Sequence, residues 1–178
     1  MNEVDVISIS GVPGSGTTTI AKLLSRELNL RLVYIGETFR ELAKEYNMSL
    51  PEFGKYAQAN SKIDSELDER QVAQARQGSV ILEGRLSGWV LKNANIEALK
   101  VLLTASLDIR IKRVMDRESK SYDTVRTEIL EREQVELERY QRLYGVNYQD
   151  TSHYDQIIDT SFLTPEEIVQ RIIAEYEK

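Results

Sequence analysis

The sequence predicts an α/β fold built on a five-stranded parallel sheet with helices on both faces. Five short apolar segments rich in Val, Ile and Leu alternate with segments of helical periodicity, the pattern of parallel strands joined through helices. A glycine-rich stretch over residues 11–16 joins the first apolar segment to the first helical one. The 178 residues suit one domain with a buried core, so we predict a single domain over residues 1–178.

The elements follow one another in a regular order. The predicted strands are 6–9, 31–35, 79–83, 100–104 and 154–159. The predicted helices are 16–28, 37–46, 49–59, 64–77, 107–118, 123–144 and 164–176. Capping-box patterns, Ser49 with Glu52 and Thr164 with Glu167, mark two of the helix starts. Three helices within 37–78 therefore form an insert between the second and third strands.

Residues 11–18 fit the phosphate-binding pattern G-x-x-x-x-G-K-[ST] at every defining position except the lysine, which here is Thr17. The glycines let successive N–H groups point into one concavity, and the start of the next helix adds its dipole. Thr18 holds the position whose hydroxyl normally ligates Mg²⁺. We predict that this P-loop binds the phosphates of ATP; the alternative is a degraded motif that forms only a turn. Its members are Gly11, Val12, Pro13, Gly14, Ser15, Gly16, Thr17, Thr18 and Thr19.

Composition excludes several classes of function. The chain has no Cys, so it carries neither disulfides nor a thiolate metal site. Its net charge of −6 argues against general nucleic-acid binding. The N-terminal residues lack a signal-peptide pattern, and no run approaches the ~18 apolar residues of a membrane span. We therefore expect a soluble cytoplasmic protein with no nucleic-acid or membrane partner.

Charged residues stand at the carboxyl ends of the predicted strands, where parallel sheets bind their ligands. Arg40 follows the second strand, and Glu83 and Arg85 close the third. An Arg guanidinium suits phosphate because it can bind two oxygens at once. A carboxylate beside a phosphate loop can orient the waters of a metal ion, although an ion pair at a strand end is the alternative for Glu83.

Further motifs occur in a fixed order along essentially the whole chain. They are residues 14–19 (GSGTTT), 36–40 (GETFR), 83–85 (EGR) with Gly88, Arg132 with Glu136 and Arg139, and 158–161 (IDTS). Together they resemble the nucleoside monophosphate kinases, and among these the cytidylate kinases of archaeal type. Archaeal members tend to have Thr at the position of Thr17, whereas bacterial members have Asp at the position of Glu136. The resemblance implies an ATP- and Mg²⁺-dependent kinase for CMP and dCMP, with a helical monophosphate-binding insert at 37–78 and a short lid at 113–126.

The resemblance also implies roles for individual residues. The catalytic set is Glu83, Arg113, Arg117 and Arg132, of which Arg132 is included on the resemblance and the others on their positions beside the P-loop and the polar break. The metal ligands are Thr18 and Glu83, which follow from the P-loop motif and from the end of the third strand. The substrate-binding set is Gly36, Phe39, Arg40, Arg85, Gly88, Thr104, Arg132, Glu136 and Arg139. Within it, Glu136 accepts from the ribose hydroxyls, and Thr104 stands where bacterial members carry an Asp near the cytosine. The residues alone also allow a solvated ion-pair face for 132–139, because three charges at this spacing share one side of a helix.

Arg113 and Arg117 flank the polar break at 119–121. We hypothesise that one of them supplies the cation missing at Thr17, with a solvated helix face as the alternative. A monophosphate acceptor is already largely ionised, because its second pKa is about 6, so no general base is needed. His153, the only histidine, is accordingly expected at the surface.

Two alternatives stay open at this point. The same fold could act on AMP, UMP or a small metabolite, and the change at Thr17 leaves room for a nucleotide-binding regulatory protein with little turnover. A GTPase is disfavoured because no N-K-x-D motif occurs, and dinucleotide binding is disfavoured because G-x-G-x-x-G is absent. We expect a monomer.

Overall fold

A computed structural model describes residues 6–147 and 150–178. Its strands are β1 (Val6–Gly11), β2 (Arg31–Tyr34), β3 (Val80–Glu83), β4 (Leu99–Thr104) and β5 (Gln156–Asp159). Its α-helices are α1 (Thr17–Leu28), α2 (Ile35–Glu45), α3 (Leu50–Ala59), α4 (Lys62–Arg76), α5 (Ser87–Asn93), α6 (Leu107–Glu118), α7 (Tyr122–Tyr144) and α8 (Pro165–Tyr176). A short 3₁₀ turn, Thr151–His153, precedes β5. None of the helices within these described ranges is long and apolar enough to cross a membrane.

The five strands form one parallel sheet in the order β2-β3-β1-β4-β5. Strand β1 is central and buried along its whole length. Its side chains alternate between the two faces, as the pleat requires. Ile7 and Ile9 pack with α1 and α8, whereas Val6 packs with α4 and α5. The predicted fold, a five-stranded parallel sheet covered on both faces by helices, is confirmed.

The region predicted as an insert consists of α2, α3 and α4. These helices enclose an apolar cluster of their own, which includes Leu42, Phe53 and Ile63. Within the Ser49 capping box, the backbone N–H of Ser49 donates to the Glu52 carboxylate over 2.9 Å. The three helices thus have a small core of their own and pack beside the carboxyl ends of the strands, where the P-loop lies.

Several predicted bounds differ from the structure, and two differences affect the architecture. Helix α2 begins at Ile35, two residues earlier than expected, so Gly36 lies inside the helix and not in a loop. Helix α5 was missed altogether, because its seven residues are too few to show helical periodicity. Tertiary packing explains α5: Val90 and Leu91 are buried, and Gly88 lies against the ring of Tyr154.

Candidate active site

A cleft of about 1060 Å³ opens at the carboxyl edge of the sheet. Three parts of the chain enclose it: the P-loop with the start of α1, the insert helices α2 and α4, and the helices α6 and α7. Most of the predicted site residues line it, so the structure brings together motifs that lie far apart in the sequence.

The P-loop adopts a conformation that needs glycine at two positions. Gly14 has φ +82° and Gly16 has φ +97°, in the left-handed region where a side chain is strained. The Ser15 hydroxyl donates to the carbonyl of Val12 over 2.8 Å, which closes the turn. Helix α1 begins at Thr17 with no side-chain cap, so its first N–H groups face the cleft as an anion site.

Thr17, Thr18 and Glu83 meet at the mouth of the loop. The Thr17 hydroxyl donates to Glu83 Oε1 over 2.6 Å, and Thr18 is exposed on the cleft wall. The Thr18 hydroxyl and the Glu83 carboxylate are hard oxygen donors of the type that Mg²⁺ prefers. These two donors fit Mg²⁺, which commonly keeps several waters beside one or two protein ligands. Within residues 6–147 and 150–178, no group of three or more His, Cys, Asp or Glu side chains that could hold a metal ion occurs.

Two arginines of α6 contact the P-loop. Arg113 donates to the carbonyl of Gly14 over 3.3 Å and to the side chain and carbonyl of Thr160 over 2.9 and 2.7 Å. Arg110 is 7% exposed, donates to the carbonyl of Pro13 over 3.3 Å, and pairs with Glu133 of α7 over 2.6 Å. These contacts support the loop through its carbonyl groups.

The sequence prediction missed Arg110, although its spacing of three residues from Arg113 places both on one helix face. Arg117, which the prediction singled out, has a side chain that is 67% exposed and pairs with the neighbouring Glu118. Both Arg113 and Arg117 line the cleft. The hypothesis that one of them replaces the missing P-loop cation stays a prediction.

A second group of arginines lines the cleft, and one of them contacts the first residue of the P-loop. Arg85 donates to the carbonyl of Gly11 and pairs with Glu136 of α7 over 2.7 Å. Arg132 pairs with the same Glu136 over 3.0 Å, so this carboxylate holds two arginines.

Arg40 is exposed on the cleft and makes no hydrogen bond or ion pair with any residue the structure describes. Gly36 and Phe39, from the same helix as Arg40, also line the cleft.

The insert end of the cleft is acidic. Asp64 pairs with Arg139 over 2.5 Å, and its second oxygen, Oδ2, is buried with no hydrogen-bond partner within the described part of the chain. Asp68 accepts from the Tyr144 hydroxyl over 2.7 Å. Burial raises the pKa of Asp64, and burial with the nearby charge of Asp64 raises the pKa of Asp68 to about 6.

A polar network lies behind the two carboxylates. The buried Gln71 donates to Asp68 over 3.4 Å and accepts from the Ser87 hydroxyl over 2.9 Å. The pKa of Tyr140, which borders the same end of the cleft, is raised by burial. Sequence reasoning did not assign Gln71 or Ser87, because neither belongs to a recognisable motif.

Three residues of interest lie away from the cleft wall. Thr104 donates to the carbonyl of Ile158 over 3.4 Å, within the sheet edge. Gly88 is buried, and a Cβ there would lie 2.7 Å from the Tyr154 ring, so this glycine serves close packing. His153 lies near Asp150 and Lys92, outside the cleft. The structure thus does not bring Thr104 or Gly88 together with the other predicted substrate-binding residues.

The parallel sheet, the P-loop after its central strand and the arginine-lined cleft define a P-loop kinase fold. Shikimate kinase from Bacteroides thetaiotaomicron matches with a TM-score of 0.66 over 97% of this chain and 98% of that one, at 16% identity. Shikimate kinase from Aquifex aeolicus matches with a TM-score of 0.61 over 97% and 96%, at 20% identity. At these identities the likeness concerns the fold alone.

Sequence similarity identifies the family. Residues 6–162 match the cytidylate kinase-like family. Cytidylate kinase of Pyrococcus horikoshii is 47% identical, over 90% of this chain and 82% of its own length. That of Methanococcus aeolicus is 43% identical, over 97% of this chain and 99% of its own length. The chain therefore belongs to the cytidylate kinase-like family, which confirms the family predicted from the motifs.

Proposed function

We propose that this protein is an ATP-dependent kinase that converts CMP, and also dCMP, into the diphosphate. The observation that carries the proposal is that the P-loop and three arginines, Arg40, Arg85 and Arg132, line one cleft. On this proposal the P-loop binds the donor phosphates and the arginines bind the acceptor phosphate. Cytidylate kinases at 43–47% identity support the choice of acceptor.

The reaction needs positioning and charge neutralisation more than acid–base chemistry. An oxygen of the acceptor phosphate forms a bond to the γ-phosphorus of ATP, the bond from that phosphorus to the bridging oxygen breaks, and ADP leaves. The acceptor phosphate is its own nucleophile, because its second pKa of about 6 leaves it largely ionised near neutrality. Arg85 and Arg132, both held by Glu136, orient this oxygen towards the P-loop.

Thr18 and Glu83 would hold Mg²⁺ at the P-loop, where the ion supplies charge neutralisation for the transferring phosphoryl group. The N–H groups at the start of α1 bind the donor phosphates. Arg113 keeps the loop in shape through the Gly14 carbonyl. Arg117, on the exposed end of α6, is free to approach the phosphates when the helices close over the cleft.

The acidic end of the cleft favours an acceptor base that carries an amino group. The carboxylates of Asp64 and Asp68 accept hydrogen bonds, and the 4-amino group of cytosine donates them, whereas uracil presents an acceptor oxygen at that position. Both carboxylates line the cleft and are the candidate acceptors. Adenine also carries an amino group, so AMP is the competing acceptor on this argument.

One chain supplies the complete cleft, so we propose that the enzyme works as a monomer on free nucleotides of the cytoplasm.

The first test compares acceptors in a coupled ADP-release assay with Mg²⁺-ATP and CMP, dCMP, UMP, AMP or GMP. We expect CMP to exceed UMP, AMP and GMP in kcat/KM by about tenfold or more, equivalent to about 1.4 kcal/mol of transition-state discrimination. A larger kcat/KM for AMP or UMP would replace the proposed acceptor and keep the reaction type. ATP binding without turnover of any acceptor would instead favour the regulatory protein.

The matched control excludes a contaminating host kinase. Arg40→Ala, purified in the same way, removes an exposed cation that supports no described contact, so the fold should persist. We expect a raised KM for CMP with an unchanged KM for ATP. Identical kinetics in the two preparations would contradict the assignment of Arg40 to the acceptor site.

A further inference from the structure

The substitution at the P-loop lysine position creates a specific contact. Thr17 begins α1, and its hydroxyl donates to Glu83 Oε1 over 2.6 Å, across 66 residues of sequence. Glu83 ends β3, which pairs directly with β1, the strand that leads into the P-loop. The bond therefore ties the carboxylate to the start of the phosphate-binding helix. It leaves Oε2 of Glu83 without a hydrogen bond in the structure described for 6–147 and 150–178.

The contact is neutral on the Thr17 side, which changes the charge balance of the loop. A lysine there would place a cation among the donor phosphates and the adjacent carboxylate. Glu83 has no ion-pair partner in the described ranges, whereas Arg85, Arg132 and Arg139 of the same cleft have theirs. Its negative charge therefore faces the triphosphate of the donor without a directly paired cation, and like charges at short range repel.

We infer that Thr17 is a positioning residue: its hydroxyl fixes the Glu83 carboxylate towards the metal ion of the bound nucleotide, so that donor binding depends on Mg²⁺. This rests on the proposed function only in that the P-loop binds the phosphates of Mg²⁺-ATP. The Glu83 carboxylate repels the phosphates of metal-free nucleotide and attracts the Mg²⁺ ion of the metal complex. Thr17 sharpens this difference, because an ordered carboxylate meets the metal without first losing conformational freedom.

The test measures nucleotide affinity by calorimetry, with the non-hydrolysable β,γ-imido analogue of ATP as the probe, in excess Mg²⁺ and in EDTA. The decisive quantity is the Kd in EDTA divided by the Kd in Mg²⁺. Thr17→Val removes the hydroxyl at nearly constant shape, and we expect the ratio to fall about tenfold, the size of one hydrogen bond to a charged group. The loss should come from weaker binding in Mg²⁺, with the Kd in EDTA unchanged.

Thr17→Ser is the matched control, because it keeps the hydroxyl, and its ratio should stay within about twofold of the wild type. Glu83→Gln should lower the ratio at least as much, because it removes the attraction for Mg²⁺ and also the repulsion of the metal-free phosphates. In that background Thr17→Val should then have no further effect, because the two residues act as one unit. Thermal unfolding of each variant without ligand verifies that it is folded.

Three results would overturn the inference. They are an unchanged ratio in Thr17→Val, an equal loss of affinity in Mg²⁺ and EDTA, or additive effects in the double variant. The measurements contain no acceptor. Failure to phosphorylate CMP would therefore refute the proposed function and leave this test intact, whereas an unchanged ratio beside normal CMP turnover would refute only the inference.

Discussion

At the scale of single residues, Asp68 places a carboxylate in the cleft at a cost to the stability of the fold. Its carboxylate is partly buried at the insert end of the cleft, beside Asp64, and among the described residues it accepts hydrogen bonds from the hydroxyl of Tyr144 and the amide of Gln71. Burial, opposed by the Tyr144 hydrogen bond, raises its pKa from 3.8 to about 6. A residue selected only for stability would not keep a charge in this place.

The raised pKa predicts a pH-dependent penalty. The folded state holds the Asp68 proton more tightly than the unfolded state, so its carboxyl group favours folding below about pH 4 and loses that contribution as pH rises through about 6. Asp68→Asn should therefore raise the free energy of unfolding by about 1–2 kcal/mol at pH 8, with little difference from wild type at pH 4. Urea denaturation across this range measures the effect.

Asp116→Asn, which alters an exposed carboxylate outside the cleft, is the control for Asp68→Asn. A stability gain that is the same at pH 4 and pH 8 would contradict the assignment to Asp68 ionisation. CMP turnover should fall in Asp68→Asn and not in Asp116→Asn, since only Asp68 lines the cleft.

At the scale of elements, helix α6 serves the P-loop more than it serves solvent. Arg110 and Arg113, one turn apart, donate to the carbonyl groups of Pro13 and Gly14, and Arg110 reaches onward to Glu133 of α7. The exposed Arg117 lies one turn further along the same helix. One part of α6, with Arg110 and Arg113, thus supports the P-loop, and its C-terminal end, with Arg117, is exposed to the cleft.

This division predicts different results for two alanine variants. Arg113→Ala loses hydrogen bonds to Thr160 and to the loop, so its free energy of unfolding should fall by about 2–3 kcal/mol, as for other hydrogen bonds of charged groups. Arg117→Ala should change stability by less than about 0.5 kcal/mol, because its ion pair is exposed. Urea denaturation tests both values.

Turnover of the same two variants tests the hypothesis that α6 supplies the cation missing at Thr17. We expect at least one variant to lose well over half of its kcat with CMP. Rates within about twofold of wild type in both would refute the hypothesis, since a charge contact to the transferring phosphoryl group contributes several kcal/mol.

At the scale of the whole molecule, the cleft is shared by three bodies: the sheet edge, the insert and the α6–α7 pair. Within the part of the chain that the structure describes, the polar contacts between the insert and α7 include Asp64 with Arg139 and Asp68 with Tyr144. Arg85 and Glu136 join α7 to the sheet edge. An acceptor that binds these groups must engage all three bodies at once.

We therefore predict that donor and acceptor stabilise the protein cooperatively. Closing the three bodies over the cleft has a free-energy cost that the first ligand meets and the second does not. Thermal unfolding with the imido analogue of ATP, with CMP, and with both should show a joint shift in Tm larger than the sum of the single shifts. The Arg40→Ala variant should lose the excess, and a strictly additive shift in wild type would contradict the prediction.

Most of the fold could be predicted from local sequence patterns. The strand, P-loop and helix at the N-terminal end, and the capping box in which Glu167 N donates to Thr164 over 3.2 Å, are encoded within a few residues. Helix α6 lies at the predicted residues 107–118. Short-range signals of this kind can be read directly, because the residues that form them are neighbours in sequence.

The remainder depends on contacts between distant parts of the chain. Arg139 meets Asp64 across 75 residues and Arg110 meets Glu133 across 23, and no periodicity reports such pairs. The seven residues of α5 are helical because Gly88 fits against Tyr154, a packing fact of the folded state. The base end of the cleft was hence the part that the sequence described least.

The contacts of α6 to the loop carbonyls have a consequence for how the donor arrives. A glycine-rich loop left to itself samples many conformations, and its carbonyl groups would compete for water or for one another. Here Arg110 and Arg113 already bond to that side of the loop, while its N–H groups stay open to the cleft. The incoming triphosphate thus meets a rigid receptor. We therefore expect the ordering that accompanies nucleotide binding to lie in the helices around the cleft and not in the loop itself.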